Sequence, residues 1–106
     1  MAFAGTRVRG SVSVSSQGSQ TRFSVSVAGL SPFSTHAIHI HAGSCRNPYG
    51  GVHLYILGFP SAGRAGTVTL RGFGPSHYVA GQYYVIVYAN TAPSLIIGCA
   101  TLGALR

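Results

Sequence analysis

Apolar and polar residues alternate along much of this chain, and the alternation constrains its fold more than any other feature. Over residues 8–14 and 22–27, every second residue is apolar or Gly, and the residues between them are Ser or Arg. Side chains on a strand point to opposite faces in turn, so the pattern predicts two strands, each with one buried and one wet face. The intervening Ser-Gln-Gly-Ser at 16–19 is typical of a turn and predicts a hairpin.

Five further strands are predicted from apolar runs between clusters of Gly, Pro and Ser, at about 35–42, 52–57, 66–71, 82–89 and 94–102. No segment shows helix periodicity. The last two of these strands are the most apolar, and we expect both to be central in a sheet. Seven short strands without a helix predict an all-β fold, a two-sheet β-sandwich or flattened barrel, with residues 1–106 as a single domain.

The complete absence of Asp and Glu excludes several kinds of function. The seven basic residues are all Arg, so the formal net charge is +7. Without carboxylates the chain has no two-carboxylate glycosidase site, no Ser-His-Asp triad and no carboxylate site for calcium or magnesium. The Arg residues lie singly and no nucleic-acid-binding motif is present, so we expect no nucleic-acid partner. No apolar run approaches the roughly 20 residues of a membrane span, so we expect no transmembrane segment.

Alternating histidines are the strongest sign of a binding site. His39 and His41 lie two residues apart, so on a strand both imidazoles point to the same side. His53 is a candidate third ligand, and Tyr88 or His77 a candidate fourth polar group. Nitrogen ligands without carboxylates favour copper or zinc, and copper has the higher intrinsic affinity. The alternative is that the histidines form only the polar face of an exposed strand.

A Gly-Leu pair at 29–30, the motif His-Ala-Ile-His-Ile-His at 36–41 and Cys45 follow one another, and Ile-Gly-Cys-Ala at 97–100 comes near the end. This order resembles the copper-zinc superoxide dismutase family, in which a Gly-Leu turn precedes a His-x-x-His-x-His strand and a cysteine follows in the next loop. It is also similar to the small bacterial relatives of the chordin-domain type. The likeness spans most of the chain and implies a Greek-key β-sandwich of about seven or eight strands.

The resemblance also implies roles for individual residues. His39 and His41 match copper ligands of the family, His53 corresponds to the bridging ligand, and His36 matches a structural histidine that bonds the backbone. Tyr88 stands where the family has its fourth copper histidine, and the zinc aspartate is missing, so we expect no zinc site of the family type and no dismutase activity. An ordinary imidazole pKa of about 6.5 predicts copper uptake at about pH 8 that fades toward about pH 5.

The same resemblance pairs Cys45 with Cys99 in a disulfide. Two free thiols are the alternative, and they are favoured in a reducing cytosol. With the bond formed, we expect an extracellular or cell-surface location.

Apolar residues make up 46% of the chain, and several large ones fall in predicted loops and termini: Phe3, Phe59, Phe73, Tyr78 and Leu105. Exposed apolar surface marks interaction sites. We therefore expect a secreted, non-catalytic β-sandwich that self-associates as a structural subunit of a filament or surface assembly and carries a residual copper site. The alternative is a copper-binding module or a copper-only enzyme of the dismutase type.

Overall fold

The computed structural model describes residues 8–74, 82–92 and 95–102, and within these ranges the chain is all β, as predicted. It contains seven strands: β1 (Arg9–Gln17), β2 (Gln20–Ala28), β3 (Ile38–Ala42), β4 (Val52–Gly58), β5 (Val68–Gly74), β6 (Tyr83–Tyr88) and β7 (Ile96–Thr101). None of the described segments is a helix with the length and apolar character needed to cross a membrane.

The strands form two antiparallel sheets, with the orders β1-β2-β5 and β4-β3-β6-β7. The two sheets approach each other at β4 and β5, where the Tyr55 hydroxyl donates a hydrogen bond to the carbonyl oxygen of Phe73 at 3.2 Å. Strands β3, β4 and β5 therefore follow one another around the sandwich, and β6 returns to lie beside β3. This is the Greek-key connection.

The predicted hairpin of β1 and β2 is present, and its strands extend further into the turn than the composition indicated. Gln17 pairs with Gln20, which leaves a two-residue turn of Gly18 and Ser19. Gly18 has a φ of 62°, a conformation that two-residue hairpin turns require and that glycine adopts without strain.

The main core lies between the sheets and is built by the alternating apolar residues, among them Phe23, Val25, Ile38, Ile40, Val85 and Val87. A second, smaller cluster covers the outer face of the four-stranded sheet and includes Tyr84, Ile86, Tyr88, Ile96 and Cys99. The strands β3 and β6 are therefore buried on both faces, which explains the nearly continuous apolar sequence of β6.

Three predicted strand positions were wrong. The third strand begins at Ile38 because Thr35 makes only an isolated bridge with Ser61. The fifth strand continues to Gly74, so Phe73 lies in a strand and not in a loop. In the described four-stranded sheet β7 is an edge strand, not a central one; it is apolar because its residues pack against both the main core and the outer cluster.

The loop between β3 and β4 is fixed over the outer face of the four-stranded sheet. Cys45 and Cys99 form a disulfide with a Cα–Cα distance of 5.9 Å, which confirms the predicted pairing. The Tyr84 hydroxyl donates to the carbonyl oxygen of Pro48 at 2.8 Å and accepts from the backbone N–H of Gly51 at 3.1 Å. The loop is thus held at both ends against β6 and β7.

Candidate metal centre

The three histidines predicted as metal ligands lie together on the outer face of the four-stranded sheet. His39 and His41 are on β3, and His53 on β4 lies directly opposite His41. One ring nitrogen from each residue lies within 4.8 Å of those of the other two. Nitrogen ligands of one metal ion each lie about 2.0–2.1 Å from the ion, so two of them are at most about 4.2 Å from each other. Ring movements of less than about 1 Å would therefore bring the three nitrogens close enough to bind one ion.

A bulge in the β3–β4 ladder brings His53 to this face. The register shifts between Ile40 and His41, and Leu54 is left as an extra residue in β4. In a regular ladder Leu54 would lie opposite His41, and His53 would point into the main core. Bulges commonly re-aim side chains in this way, at sheet edges and beside functional sites.

The two histidines of β3 are buried, whereas His53 is exposed. His39 is 6% and His41 8% exposed, and neither ring nitrogen of His41 has a hydrogen-bond partner. An unpaired buried polar atom costs about 1–3 kcal/mol, so such atoms in a native protein need an explanation. A metal ion coordinated by one of these nitrogens is such an explanation, and the residues present fit it.

Burial keeps the two imidazoles of β3 neutral. Burial first, and then the neighbouring His53 and His41, lower the pKa of His39 to about 4. Burial and His53 also lower the pKa of His41; the polar backbone of Gly51, which is near the ring but outside ordinary hydrogen-bond geometry, partly offsets this. Neutral imidazole is the form that binds a metal. The expectation that uptake fades toward about pH 5 is therefore revised, because protons compete for His39 only near pH 4.

Two tyrosines of β6 form a wall of the site. The ring of Tyr88 meets His39 edge-on with centroids 5.0 Å apart, and the ring of Tyr84 lies 5.6 Å from that of His41. Burial raises the pKa of both phenols, so neither is an anionic ligand at neutral pH. Sequence reasoning missed Tyr84, since its place beside His41 depends on the pairing of β3 with β6.

His36 lies apart from this cluster. Its Nδ1 donates to the backbone carbonyl of Tyr88 at 2.8 Å, and its Nε2 lies 2.6 Å from the hydroxyl of Ser34. Both ring nitrogens are thus engaged within the fold. His77, the other candidate for a fourth polar group, lies outside the described residues.

The arrangement is suited to holding one metal ion through neutral imidazoles, beside phenol rings that exclude water from one side. It contains no carboxylate to serve as a base, because the sequence has none. Compared with known proteins, the sequence matches no family model and no curated protein.

Proposed function

We propose that the protein is a copper-binding β-sandwich module in which His39, His41 and His53 hold the ion. The observation that carries this proposal is His41, whose two ring nitrogens are buried without a partner beside two other imidazoles. Copper is favoured over zinc because the ligands are nitrogen atoms and copper is the more strongly bound of the two. Bound there, copper would supply a redox-active centre.

Binding, and not catalysis, is the role that the ligand set supports. Neither ring nitrogen of His41 has a hydrogen-bond partner, and a hydrogen bond from the free nitrogen of a ligating histidine to its surroundings normally strengthens a metal site. We therefore propose moderate affinity. The resemblance to the copper-zinc superoxide dismutase family supports the choice of copper, and the absent fourth histidine argues against dismutase activity. The disulfide supports an extracellular or cell-surface location.

Calorimetric titration of Cu²⁺ into the metal-free protein at about pH 8 tests the proposal. The wild type should take up one ion per chain, and the double variant His39→Ala/His41→Ala should take up none while keeping its β circular dichroism. His36→Ala is the matched control, since it removes a buried histidine outside the cluster; it should lower stability and retain copper. Equal uptake by the wild type and the double variant would mean that the alternating histidines are only a polar face.

Self-association is a second function, favoured by the exposed side chains of β4. Val52 is 67% exposed, and Leu54 and Ile56 are each 44% exposed. The strand is an edge of its sheet and carries no Arg. Edge strands with exposed apolar side chains pair readily with other strands, and an uncharged edge lets two basic molecules approach. We propose that β4 pairs with β4 of a second copy in a structural assembly.

The five large apolar residues that the sequence placed in loops and termini give weaker support to self-association through β4. Phe59 is exposed beyond the end of β4, and Phe73 is exposed on β5, in the other sheet. The other three of these five residues lie outside the part of the chain that the structure describes: Phe3, Tyr78 and Leu105.

Light scattering of the purified protein at micromolar concentration and several salt concentrations tests the assembly. The wild type should have a mass well above the 11.0 kDa of one chain. Leu54→Lys should reduce the mass to that of the monomer, because charged residues on an edge strand block pairing. Leu95→Lys places the same charge at an exposed position away from β4 and should leave the assembly intact. A monomeric wild type at every salt concentration would remove self-association as a function.

A further inference from the structure

The outer face of the β1-β2-β5 sheet carries a concentration of positive charge. Arg9, Arg22 and Arg71 project from it, which is three of the five arginines in the described residues; Arg46 and Arg64 lie in loops. The residues between them on this face are mainly Ser and Thr. Because the sequence contains no Asp or Glu, no side chain of the protein itself can neutralise this charge.

Phe73 lies on this face between two of the arginines. Arg22 lies directly opposite Phe73 in the β2–β5 ladder, and Arg71 is two residues from Phe73 on the same face of β5. Phe73, which is 48% exposed, therefore has an arginine residue on each of two sides on this face. A groove of about 440 Å³ lies beside the two arginines, which line it together with Ser15 and Ser24.

We infer that this face binds an acidic polysaccharide of the uronate type. Guanidinium groups bind carboxylates through paired, charge-assisted hydrogen bonds. An aromatic ring offers an apolar platform for the face of a sugar, and rows of serine hydroxyls can exchange hydrogen bonds with sugar hydroxyls. Uronate polymers present carboxylates and hydroxyls along an extended chain, as this face presents guanidinium and hydroxyl groups along its strands.

Two other polyanions fit the face less well. Single-stranded nucleic acid is usually held by several aromatic side chains on which successive bases stack, and Phe73 is the one aromatic side chain among the described residues of this face. Anionic membranes are bound by surfaces that also insert several large apolar side chains, which the Ser and Thr rows lack. A hydroxylated polymer with spaced carboxylates matches both the charge and the polarity of the face.

Calorimetric titration with a soluble oligogalacturonate, with a neutral galactan oligomer of equal length as the control ligand, tests the inference. The wild type should bind only the acidic oligomer. Arg22→Gln/Arg71→Gln should weaken binding about tenfold, because the loss of each exposed arginine–carboxylate pair should weaken it about threefold. Arg46→Gln/Arg64→Gln removes the same net charge elsewhere and should change affinity by less than about twofold. Phe73→Leu should weaken binding without changing charge, and His39→Ala/His41→Ala should have no effect.

Three results would overturn the inference. No binding of oligogalacturonate by the wild type would remove the site. An equal loss in the two double-arginine variants would show that net charge alone attracts the polymer. Competition by single-stranded DNA or by phosphatidylserine vesicles, with the same dependence on Arg22 and Phe73, would assign the face to one of those ligands. Circular dichroism of each variant verifies that the β fold is retained.

Discussion

Replacing both Cys45 and Cys99 by Ser should lower the free energy of unfolding by about 4 kcal/mol. The bond joins residues 54 positions apart, and without it the unfolded chain gains the conformational entropy of that loop. Domains of this size are typically stable by about 5–15 kcal/mol, so the loss is a large share of the total. Urea unfolding of the wild type and the double variant, both under oxidising conditions, measures the difference.

Wild-type protein unfolded in the presence of a reductant is the control for this double variant, and the two should have the same urea midpoint. Alkylation of native, unreduced protein should label no cysteine. Two labelled cysteines would show that the bond is not formed, and the extracellular location would lose its support. An unchanged midpoint in the double variant would mean that the bond adds no stability to the fold.

The metal-free protein should lose about 2 kcal/mol of stability as the pH falls from about 6.5 to about 4. The folded-state pKa of His39 is about 4, below its ordinary value of 6.5, so in this range the unfolded chain binds more protons than the folded one. His41 shifts in the same direction. Stability from this source is complete above about pH 6.5 and is lost progressively toward pH 4. Side-chain carboxylates, the usual cause of acid unfolding, are absent.

Urea unfolding at about pH 7, 5.5 and 4 measures this loss, with His39→Leu/His41→Leu as the comparison. The variant should lose much less stability over the same range because the two buried imidazoles are gone. Because the lowered pKa values keep His39 and His41 neutral, copper uptake by the wild type should persist at about pH 5. Parallel losses in the two proteins, or copper released at about pH 6, would contradict the lowered pKa values.

Local patterns in the sequence predicted the features that depend on residues close together in the chain. Alternation at period two located the first two strands, apolar runs between turn residues located the other five, and the spacing of His39 and His41 placed both imidazoles on one face. The contribution of His53 depends on a bulge at Leu54, and that of Tyr84 on the pairing of β3 with β6. Register between distant strands leaves no periodic signal in a single sequence, so the sequence predicted His53 only as a candidate and did not predict Tyr84.

Burial was harder to predict than strand position. The histidines of β3 lie on the outer face of their sheet, where alternation predicts exposure to water. They are buried because the neighbouring tyrosines of β6 and the loop that ends at Gly51 cover that face. Conversely, β4 has an apolar sequence and yet exposes Val52, Leu54 and Ile56, because it is the last strand of its sheet.

The histidine cluster and the arginine face lie on opposite sides of the sandwich, with the main core between them. A molecule bound to an extended polymer through Arg22 and Arg71 would therefore turn the face that holds the histidine cluster away from the polymer. Every bound copy would take the same orientation, since the two faces belong to different sheets of one sandwich. A polymer coated in this way would present a uniform layer of candidate metal sites, with a density set by how closely the molecules pack side by side.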